Sequence, residues 1–441
     1  MSYDYSGKII SIDKALSLVK DGDHIVSGMG TAEPRDFITN LYKIVDRGVK
    51  GVILTNCLSL VEGKHVHDPD YAGKIDVNSW FHTGHLKRDS AAGVSFVPGH
   101  LHSFAFKRRF HLKNNIFTAL ATPPDKHGYM AVSLSAGYER EIWESSDMII
   151  LEINPNLPRT FGDVEIHIND VDYIINADYP IPELPDAEPN EIDLKIGKLV
   201  ADEIEDGNCI QLGIGGMPNA IAKSLYDKKD LGIHTEMLTN EMGKLCQAGV
   251  VTNKRKTIFP GKTACSLVFG TKQLYEFVDD NPGVVVVRAS YMNDPCVIGQ
   301  NDNHVSINSS VEVDVTGQCC SESIGTKQIS GTGGQTDTAV GAQNSKGGRS
   351  YICLYSTAIV KDEDGQPKLV SKIVPTLKEG AIVTLSRMDV DRVVTEYGIA
   401  ELRGTSVRER VERLCAIAHP DFREDIMCRS TELGIIRKKS Y

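Results

Sequence analysis

The sequence CIQLGIGGMPNAIAKSLYDKKDLGIHTEMLTNEM, which spans residues 209–242, decides the fold and contains the candidate site. Apolar residues alternate at its start and predict a buried β-strand, and the glycines that follow let the backbone turn with a positive φ. Pro218 suits the first position of a helix, where a missing N–H costs nothing. Gly232 then restarts an extended segment that carries Glu236. The stretch therefore predicts a strand, a glycine turn, a helix and a second strand with a carboxylate.

The residues alone leave two interpretations of this turn open. A glycine turn before a helix presents unpaired N–H groups, which bind an anionic oxygen or a phosphate. Gly213-x-Gly215-x-x-Pro218 resembles a dinucleotide fingerprint, with Glu236 near the place of the ribose-binding acid, although proline replaces its third small residue. In the second interpretation, Glu236 is a nucleophile and the turn stabilises an oxyanion.

The stretch has a counterpart near the N-terminus. DGDHIVSGMG at 21–30 and DGNCIQLGIG at 206–215 share the pattern D-G-x-x-I-x-x-G-x-G, and a helical segment and a glycine-led strand follow both. This order predicts an internal duplication. The first copy, GVILTN from Gly51, carries Thr55 and Asn56 where the second carries an acid. We therefore expect the chemistry in the second copy.

The domain organisation follows from the same pattern. Strands alternate with helices along the chain, which predicts an α/β fold with mainly parallel sheets. The segment YPIPELPDAEPNEID at 179–193 contains four prolines in an acidic sequence, which is typical of a linker. We expect two similar domains, residues 1–178 and 194–441, with the nucleophile in the second, and a length of 441 residues fits this number.

Composition excludes several classes of protein. The net charge of −11 and the absence of a basic stripe argue against nucleic-acid binding. No apolar run approaches the roughly 18 residues of a membrane helix, and the N-terminus shows no signal or transit pattern. Ten cysteines without a CxxC pair indicate reduced thiols, so we expect a cytoplasmic protein that does not bind membranes.

Four further features are candidates for binding or catalysis. Six histidines in the first half lack zinc-type spacing, so we expect packing or substrate contact and no metal site. ISGTGGQTD at 329–337 is either a tight turn or a loop whose glycines let the backbone approach a ligand, and the basic residues of SKGGR at 345–349 suit a phosphate. Glu396 is either a second nucleophile or an acid at the start of a short helix. The histidines are His65, His67, His82, His85, His100 and His102.

The motifs GIGGMPNAI, GIHTEM, ISGTGGQTD, VVTEYGIAELRG and HPDFR, in this order, resemble the acetyl-CoA hydrolase/transferase family of coenzyme A transferases. The resemblance is closest to the 4-hydroxybutyrate and butyryl-CoA:acetate CoA-transferases, and it extends to FVPGH and PDKHGY in the first half. It implies two similar Rossmann-like domains. It also implies a transferase that moves coenzyme A between a short-chain acyl-CoA and a carboxylate such as acetate.

The resemblance also implies roles for individual residues. Glu236 would be the nucleophile and would carry coenzyme A as a glutamyl thioester in a ping-pong cycle. Gly333 would lie against the thioester, and backbone N–H groups near Met217 and Gly333 would hold the oxyanion. A lysine beyond the second loop contributes in the family, and Lys361 is the candidate here. The implied coenzyme A-binding residues are Gln211, Leu212, Gly213, Ile214, Gly215, Gly331, Gly334 and Lys361.

One departure and three alternatives accompany the resemblance. Relatives follow the TEM motif with an Asp-Gly pair, whereas this chain has Asn240 and Glu241, a difference that bears on the local turn and the acyl preference. The alternatives are an acyl-CoA hydrolase of the same family, a nicotinamide-dependent oxidoreductase, and a non-catalytic acyl-CoA-binding protein. We expect the coenzyme A thioester to be a substrate, no permanently bound cofactor, and a homodimer or higher homo-oligomer.

Overall fold

Two large sheets, one in each half of the chain, form the frame of the protein. The computed structural model describes residues 4–87, 93–362 and 364–437. The strands are β1 (His24–Ser27), β2 (Val52–Asn56), β3 (Ile75–Ser79), β4 (Val94–Phe96), β5 (Asn114–Ala121), β6 (Tyr129–Ala131), β7 (Ser146–Ile153), β8 (Glu165–His167), β9 (Tyr173–Asn176), β10 (Cys209–Leu212), β11 (Gly232–Leu238), β12 (Thr263–Val268), β13 (Val284–Val286), β14 (His304–Ser309), β15 (Glu312–Asp314), β16 (Cys319–Cys320), β17 (Ser323–Ile324), β18 (Lys327–Gln328), β19 (Arg349–Cys353), β20 (Thr357–Lys361), β21 (Pro367–Ser371), β22 (Ile373–Val374), β23 (Arg392–Thr395) and β24 (Gly398–Glu401).

Helices connect most of the successive strands of the two large sheets. The α-helices are α1 (Ile12–Ser17), α2 (Arg35–Asn40), α3 (Lys64–His67), α4 (Gly84–Lys87), α5 (Phe104–His111), α6 (Glu139–Trp143), α7 (Glu191–Asp202), α8 (Gly216–Lys223), α9 (Asn240–Gln247), α10 (Lys272–Val278), α11 (Ala289–Met292), α12 (Pro295–Ile298), α13 (Gln335–Asn344), α14 (Val407–Ile417) and α15 (Arg423–Glu432). Among the described helices, none is long and apolar enough to cross a membrane.

The two large sheets share one strand order. The first is β4-β3-β2-β1-β5-β7-β9, and the second is β13-β12-β11-β10-β14-β19-β23-β24. Neighbouring strands are parallel in both, apart from the antiparallel pair β23–β24. The first strand of each half therefore lies centrally, and the connections reverse direction beside it. Such a reversal opens a ligand crevice at the carboxyl ends of the central strands. The predicted α/β fold with mainly parallel sheets is confirmed.

Strand register shows how the two copies correspond. His24 pairs with Ile53 across β1 and β2, and Cys209 pairs with Gly232 across β10 and β11. His24 and Cys209 occupy the same place in the repeated motif, so Ile53 corresponds to Gly232. Counting four residues onward in both strands, the position of Glu236 corresponds to position 57 of the first copy, which is a cysteine.

The alignment of the second strands inferred from the sequence was therefore wrong by two residues. It matched Gly51 with Gly232 and so placed Thr55 opposite the acid. The two glycines have different roles. Gly51 is a left-handed turn residue with φ +71° before β2, whereas Gly232 is the first residue of β11 and leaves room for the side chain of Lys256.

The proline-rich segment connects the halves without regular structure. Residues 177–190 form neither helix nor strand, and α7 begins at Glu191 with a capping box made by Asn190 and Asp193. The segment contacts the second half, because the Leu184 N–H donates to the carbonyl of Gly270. The linker that we proposed at 179–193 overlaps most of this segment and also includes the first three residues of α7.

Apolar cores also join the two halves. One cluster around the first sheet, with Phe117 and Tyr138, takes in Met237 and Leu267 from the second half. A bridge between Ser135 and Leu267 extends this contact through the backbone. Because the cores are continuous, the carboxyl ends of the second sheet are held in fixed positions against the first half.

Candidate active site

A cavity lies between the halves at the crevice that the strand order of the second sheet creates. It measures about 320 Å³ and is bounded by the carboxyl ends of β10, β11 and β14. The first half supplies an apolar wall, and the second supplies two glycine-rich segments and a carboxylate. The lining residues are Met29, Cys57, Leu58, Phe81 and Leu101 from the first half, and Gln211, Leu212, Gly213, Ile214, Glu236, Met237, Leu267, Asn308, Ser309, Ser321, Ser330, Gly331, Thr332, Gly333, Gly334 and Gln335 from the second.

Two donors hold the carboxylate of Glu236. Asn293 Nδ2 donates to Oε2 at 3.1 Å, and the backbone N–H of Gly334 donates to the same carboxylate. Burial, and next the negative charge of Asp337, raise the pKa of Glu236 to about 7, although both hydrogen bonds oppose the shift. Near neutral pH the side chain is thus divided between carboxylate and acid. Such a perturbed group in a cleft is a candidate for catalysis.

The segment 331–334 needs glycine at defined positions. A Cβ on Gly331 would lie 2.4 Å from the carbonyl oxygen of Trp80. A Cβ on Gly334 would lie 2.0 Å from Oε2 of Glu236. Gly333 adopts a left-handed backbone with φ +54°, which other residues rarely adopt. The segment is therefore a tight turn, and its backbone lies against the candidate nucleophile; its approach to a ligand stays a prediction.

The first half holds this glycine segment in place. The Leu101 N–H donates to the carbonyl of Gly333 at 3.0 Å, and the His82 N–H donates to the carbonyl of Ser330 at 3.4 Å. The segment ends at Gly334, the N-cap of α13. The geometry around Glu236 therefore depends on contact between the two halves.

Cys57 lines the cavity at the strand position equivalent to that of Glu236. Its side chain is buried. Burial, and next the charge of Glu236, raise the pKa of the Cys57 thiol well above its usual value. The thiol therefore stays protonated near neutral pH and does not compete as a nucleophile.

The turn after β10 has free backbone donors. Among the described residues, the N–H groups of Ile214, Gly215, Gly216 and Met217 have no hydrogen-bond partner. Gly215 has φ +117° and is the N-cap of α8. Pro218 is the third residue of α8, still within the first turn, where its missing N–H costs nothing. Free N–H groups at a helix N-terminus suit an anionic oxygen.

Comparison with known proteins identifies the family. The model of the acetyl-CoA hydrolase/transferase N-terminal domain matches residues 1–185, and that of the C-terminal domain matches residues 270–429. The chain belongs to the acetyl-CoA hydrolase/transferase family. The family and fold type predicted from the motifs are thus confirmed.

Individual relatives match over nearly the whole chain. The succinyl-CoA:cyclohexane-1-carboxylate CoA transferase of Geobacter metallireducens is 40% identical over 430 residues, which cover 96% of this chain and 95% of the relative. The 4-hydroxybutyrate coenzyme A transferase of Clostridium kluyveri is 40% identical over 427 residues, covering 96% and 97%. The crystal structure of RipA from Yersinia pestis has a TM-score of 0.90 at 32% identity and covers 98% of this chain and 99% of that one.

Most residues that the family resemblance singled out lie together. Eight of them line the cavity: Gln211, Leu212, Gly213, Ile214, Glu236, Gly331, Gly333 and Gly334. Gly215 follows directly at the N-cap of α8 and lies outside the lining. The side chain of Met217 packs into the core, and only its free N–H faces the turn. The roles of these residues remain predictions.

Lys361 lies apart from this group. It is the last residue of β20 in the β20–β21 hairpin, it is exposed, and it does not line the cavity. Asn240 and Glu241 are also outside the lining. Asn240 bonds to the proline-rich segment and to Thr271, and Glu241 pairs with Lys244. The departure from the family pattern thus lies in packing between segments.

The structure changes one expectation about the other motifs. The short helix predicted after Glu396 is wrong, because Gly398, with φ +139°, turns the chain into β24, which pairs with β23. Glu396 accepts hydrogen bonds from the N–H and Oγ of Ser356 and does not line the cavity. The segment 345–348 leads into β19, and Arg349, the first residue of that strand, donates to Asn208 Oδ1 at 3.0 Å.

Sequence reasoning missed the residues that complete the site. Asn293 follows α11 in an ordinary YMNDP turn, and Phe81 and Leu101 come from the other half, so no motif links them to Glu236. Within the described residues, no group of three or more histidine, cysteine or acidic side chains is arranged to hold a metal ion.

Proposed function

We propose that this protein transfers coenzyme A between a short-chain acyl-CoA, such as 4-hydroxybutyryl-, butyryl- or acetyl-CoA, and a carboxylate such as acetate. The supporting observation is the carboxylate of Glu236, which two hydrogen-bond donors hold in a cavity where two glycine segments meet. The names of the relatives, which are CoA transferases, support an enzyme of this kind. These names favour a coenzyme A substrate over the dinucleotide interpretation.

The first half-reaction forms a thioester on the enzyme. The carboxylate of Glu236 attacks the thioester carbonyl, and coenzyme A leaves as a thiolate while a mixed anhydride forms. The thiolate then attacks the glutamyl carbon of the anhydride. The donor acid leaves with one oxygen from Glu236, and coenzyme A is held as a glutamyl thioester.

The second half-reaction reverses these steps with the acceptor acid. Its carboxylate attacks the glutamyl thioester and releases the thiolate, which attacks the acceptor carbon of the new anhydride. Glu236 is regenerated with one oxygen from the acceptor. Because a thioester is present before and after each half-reaction, the exchange needs no ATP.

The backbone supplies stabilisation for the oxyanions that form during transfer. The free N–H of Met217 and the N–H of Gly333, which has no partner among the described residues, are the proposed donors. A single donor of this kind contributes about 3–4 kcal/mol in comparable sites. The apolar wall of Met29, Leu58 and Phe81 restricts water, which a transferase must keep from the thioester.

Trapping the intermediate tests this proposal. Incubation with acetyl-CoA and no acceptor should add the mass of coenzyme A, less water, to the peptide that contains Glu236. Borohydride should reduce that thioester and abolish activity. Glu236→Gln should show neither effect. Glu396→Gln, a matched control outside the cavity, should keep the adduct, and an adduct on Glu396 would show that the proposed nucleophile is wrong.

Oxygen tracing separates the transferase from a hydrolase. Acceptor acid labelled with heavy oxygen should pass label through Glu236 to the acid released from the donor in later turnovers. A hydrolase would take that oxygen from water, so label arriving only from solvent would contradict transfer. A panel of acceptor acids with acetyl-CoA as donor then defines the acyl preference.

We place this activity in the cytoplasm and in a homodimer or higher homo-oligomer. All ten cysteines are free thiols, and eight of them are buried or partly buried, which fits a reducing compartment. Light scattering coupled to size-exclusion chromatography measures the oligomeric state, and a monomer at micromolar concentration would contradict this part of the proposal.

A further inference from the structure

Two histidines of the first half, His100 and His102, lie against α13, the helix that begins beside the candidate nucleophile Glu236. His102 Nδ1 lies 2.7 Å from Oδ1 of Asp337, and the backbone N–H of His102 donates to Oδ2 at 3.2 Å. Asp337 lies in the first turn of α13, and its side chain is 1% exposed. Both oxygens of this buried carboxylate are therefore bound by one residue from the other half.

The same segment also holds the glycine loop. Leu101, the residue before His102, donates its N–H to the carbonyl of Gly333 at 3.0 Å. Gly334, the next residue of the loop, donates to Glu236. A short run of the first half thus fixes both the loop that positions the nucleophile and the helix that follows it.

The charges of Asp337 and His102 act on the candidate nucleophile Glu236. The negative charge of Asp337 is, after burial, the second influence that raises the pKa of Glu236. The hydrogen bond to Asp337 raises the pKa of His102, so the imidazole holds its proton to higher pH. A protonated His102 offsets the charge that Asp337 presents to Glu236.

Other charged groups face His102 from each neighbouring element. Lys107 on α5 disfavours its protonated form, and Asp294 before α12 favours that form. His100 Nδ1 lies 3.9 Å from the same oxygen of Asp337, and its ring is parallel to that of His102 with centroids 5.9 Å apart. Asp337 nevertheless dominates, because among the described residues it alone makes a hydrogen bond to the imidazole.

We propose that His102 is a positioning residue for the nucleophile: its pairing with Asp337 joins the two halves at the glycine loop and offsets the negative charge directed at Glu236. This inference rests on the proposed function, because it requires Glu236 to react as a carboxylate. It assigns a role to a histidine that lies outside the cavity lining and was expected only to pack or to contact substrate.

Removing the positive charge of His102 and removing the negative charge of Asp337 should move the pKa of Glu236 in opposite directions. His102→Gln keeps a side-chain amide that can donate to Asp337 but removes the positive charge. Ionisation of Glu236 is then opposed by an uncompensated neighbour, so its pKa rises. Asp337→Asn removes the opposing charge, so the pKa of Glu236 falls. In the double variant, His102→Gln with Asp337→Asn, neither charge acts on Glu236. The pKa of Glu236 should therefore match that in Asp337→Asn.

The experiment measures the rate of glutamyl-CoA formation from acetyl-CoA by quenched mass spectrometry, from about pH 5.5 to 9, in the full-length enzyme. For His102→Gln, the acidic limb of the profile should move upward by about one pH unit, with the rate at pH 9 within about threefold of the wild type. For Asp337→Asn, the limb should move downward. His111→Gln, at the exposed end of α5, is the control and should leave the limb unchanged.

Every outcome decides one question. If the variants lower the rate equally at all pH values with an unmoved limb, the pair is only a structural clamp and the inference is overturned. If His102→Gln does not fold, the pH–rate profile of Asp337→Asn decides. An acidic limb of that profile that stays in place or moves to higher pH overturns the inference. If the wild type forms no adduct at any pH, the proposed function fails, and that result is distinct from both others.

Discussion

The two glycine turns of this protein share a sequence motif and a place in the sheet, yet they differ in what occupies them. In the first turn, Oε1 of Glu139 accepts a hydrogen bond from the Met29 N–H at 2.8 Å. The nearby N-terminus of α2 is capped by Glu152, which accepts from the N–H groups of Asp36 and Phe37. In the second turn, the corresponding donors have no partner in the part of the chain that the structure describes. In the first turn the backbone N–H groups thus have a structural role, because the chain's own carboxylates accept their hydrogen bonds. In the second turn the N–H groups are available to a ligand.

The difference originates in one equivalent helix. In each sheet, a helix lies between the fifth and sixth strands, α6 in the first half and α13 in the second. The first residue of α6 is Glu139, which fills the turn of its own half. The first residue of α13 is Gln335, and the backbone of its N-cap residue, Gly334, reaches Glu236. In the first half a carboxylate therefore occupies the backbone donor of the turn, whereas in the second half backbone approaches Glu236.

The largest expected effect tests the bare backbone. Gly334→Ala would place a Cβ 2.0 Å from Oε2 of Glu236 and 2.1 Å from Nδ2 of Asn293. The carboxylate must move, so adduct formation should fall by about a thousandfold, since a displacement of about 1 Å at a reacting group already costs about a hundredfold. Single-turnover mass spectrometry measures the loss, and a melting curve checks folding. An unchanged rate would show that this carboxylate position is not the reactive one.

A matched pair of variants separates the two turns. Gly28→Ala would place a Cβ 2.4 Å from the carbonyl oxygen of Ala32, so it should destabilise the protein by about 3 kcal/mol. For Gly213→Ala, the nearest atom is a carbonyl oxygen of Ile307 at 3.6 Å, so folding should be unaffected. The added methyl group enters the open crevice and should raise the KM for acyl-CoA about tenfold. Denaturant melts and steady-state kinetics test both, and a reversed pattern would contradict the comparison.

The third prediction concerns pH. Burial raises the pKa of Glu236 to about 7, so between about pH 4.5 and 7 the folded state binds more protons than the unfolded state. Stability from this group is therefore present at low pH and lost as the pH rises through 7. Glu236→Gln removes the loss and should be more stable than the wild type by about 2 kcal/mol at pH 8, with no difference near pH 4.5. Urea melts at both pH values measure this, and a variant that is less stable at pH 8 would contradict it.

The smallest expected effect concerns Glu152, the carboxylate that caps α2 in the first half. Glu152→Gln leaves one of the two N–H groups at the start of α2 without an acceptor, so the free energy of unfolding should fall by about 1 kcal/mol. Because Glu152 lies outside the cavity lining, kcat/KM for coenzyme A transfer should stay at the wild-type value. A large loss of activity with unchanged stability would mean that the first crevice takes part in the reaction.

The repeated motif carried most of the fold information, for a physical reason. Apolar alternation, glycine and proline act locally, so they predicted the β10–turn–α8 unit and its copy around β1. Local patterns do not report where a strand pairs, and this is why the alignment of Gly51 with Gly232 was two residues out. The hairpin at Gly398 was missed for a similar reason, because an acid before a glycine suits a helix start as well as a strand turn.

The candidate site shows the same limit. Glu236 and both glycine segments were predicted together, since each lies in a motif of the second half. Asn293, Phe81 and the His102–Asp337 pair were not, because their positions depend on contacts between segments that are far apart in the chain. Lys361 was assigned from its order in the chain, and the hairpin places it outside the cavity lining.

The occupied backbone donors of the first half have a consequence for stoichiometry. The shared strand order provides two crevices in each chain, but Glu139 and Glu152 occupy the donors of the first. A calorimetric titration with coenzyme A should therefore reach its endpoint at one equivalent per chain. An oligomer of any size would hold as many thioesters as it has chains, and the duplicated half would act as the wall against which the other half performs the exchange.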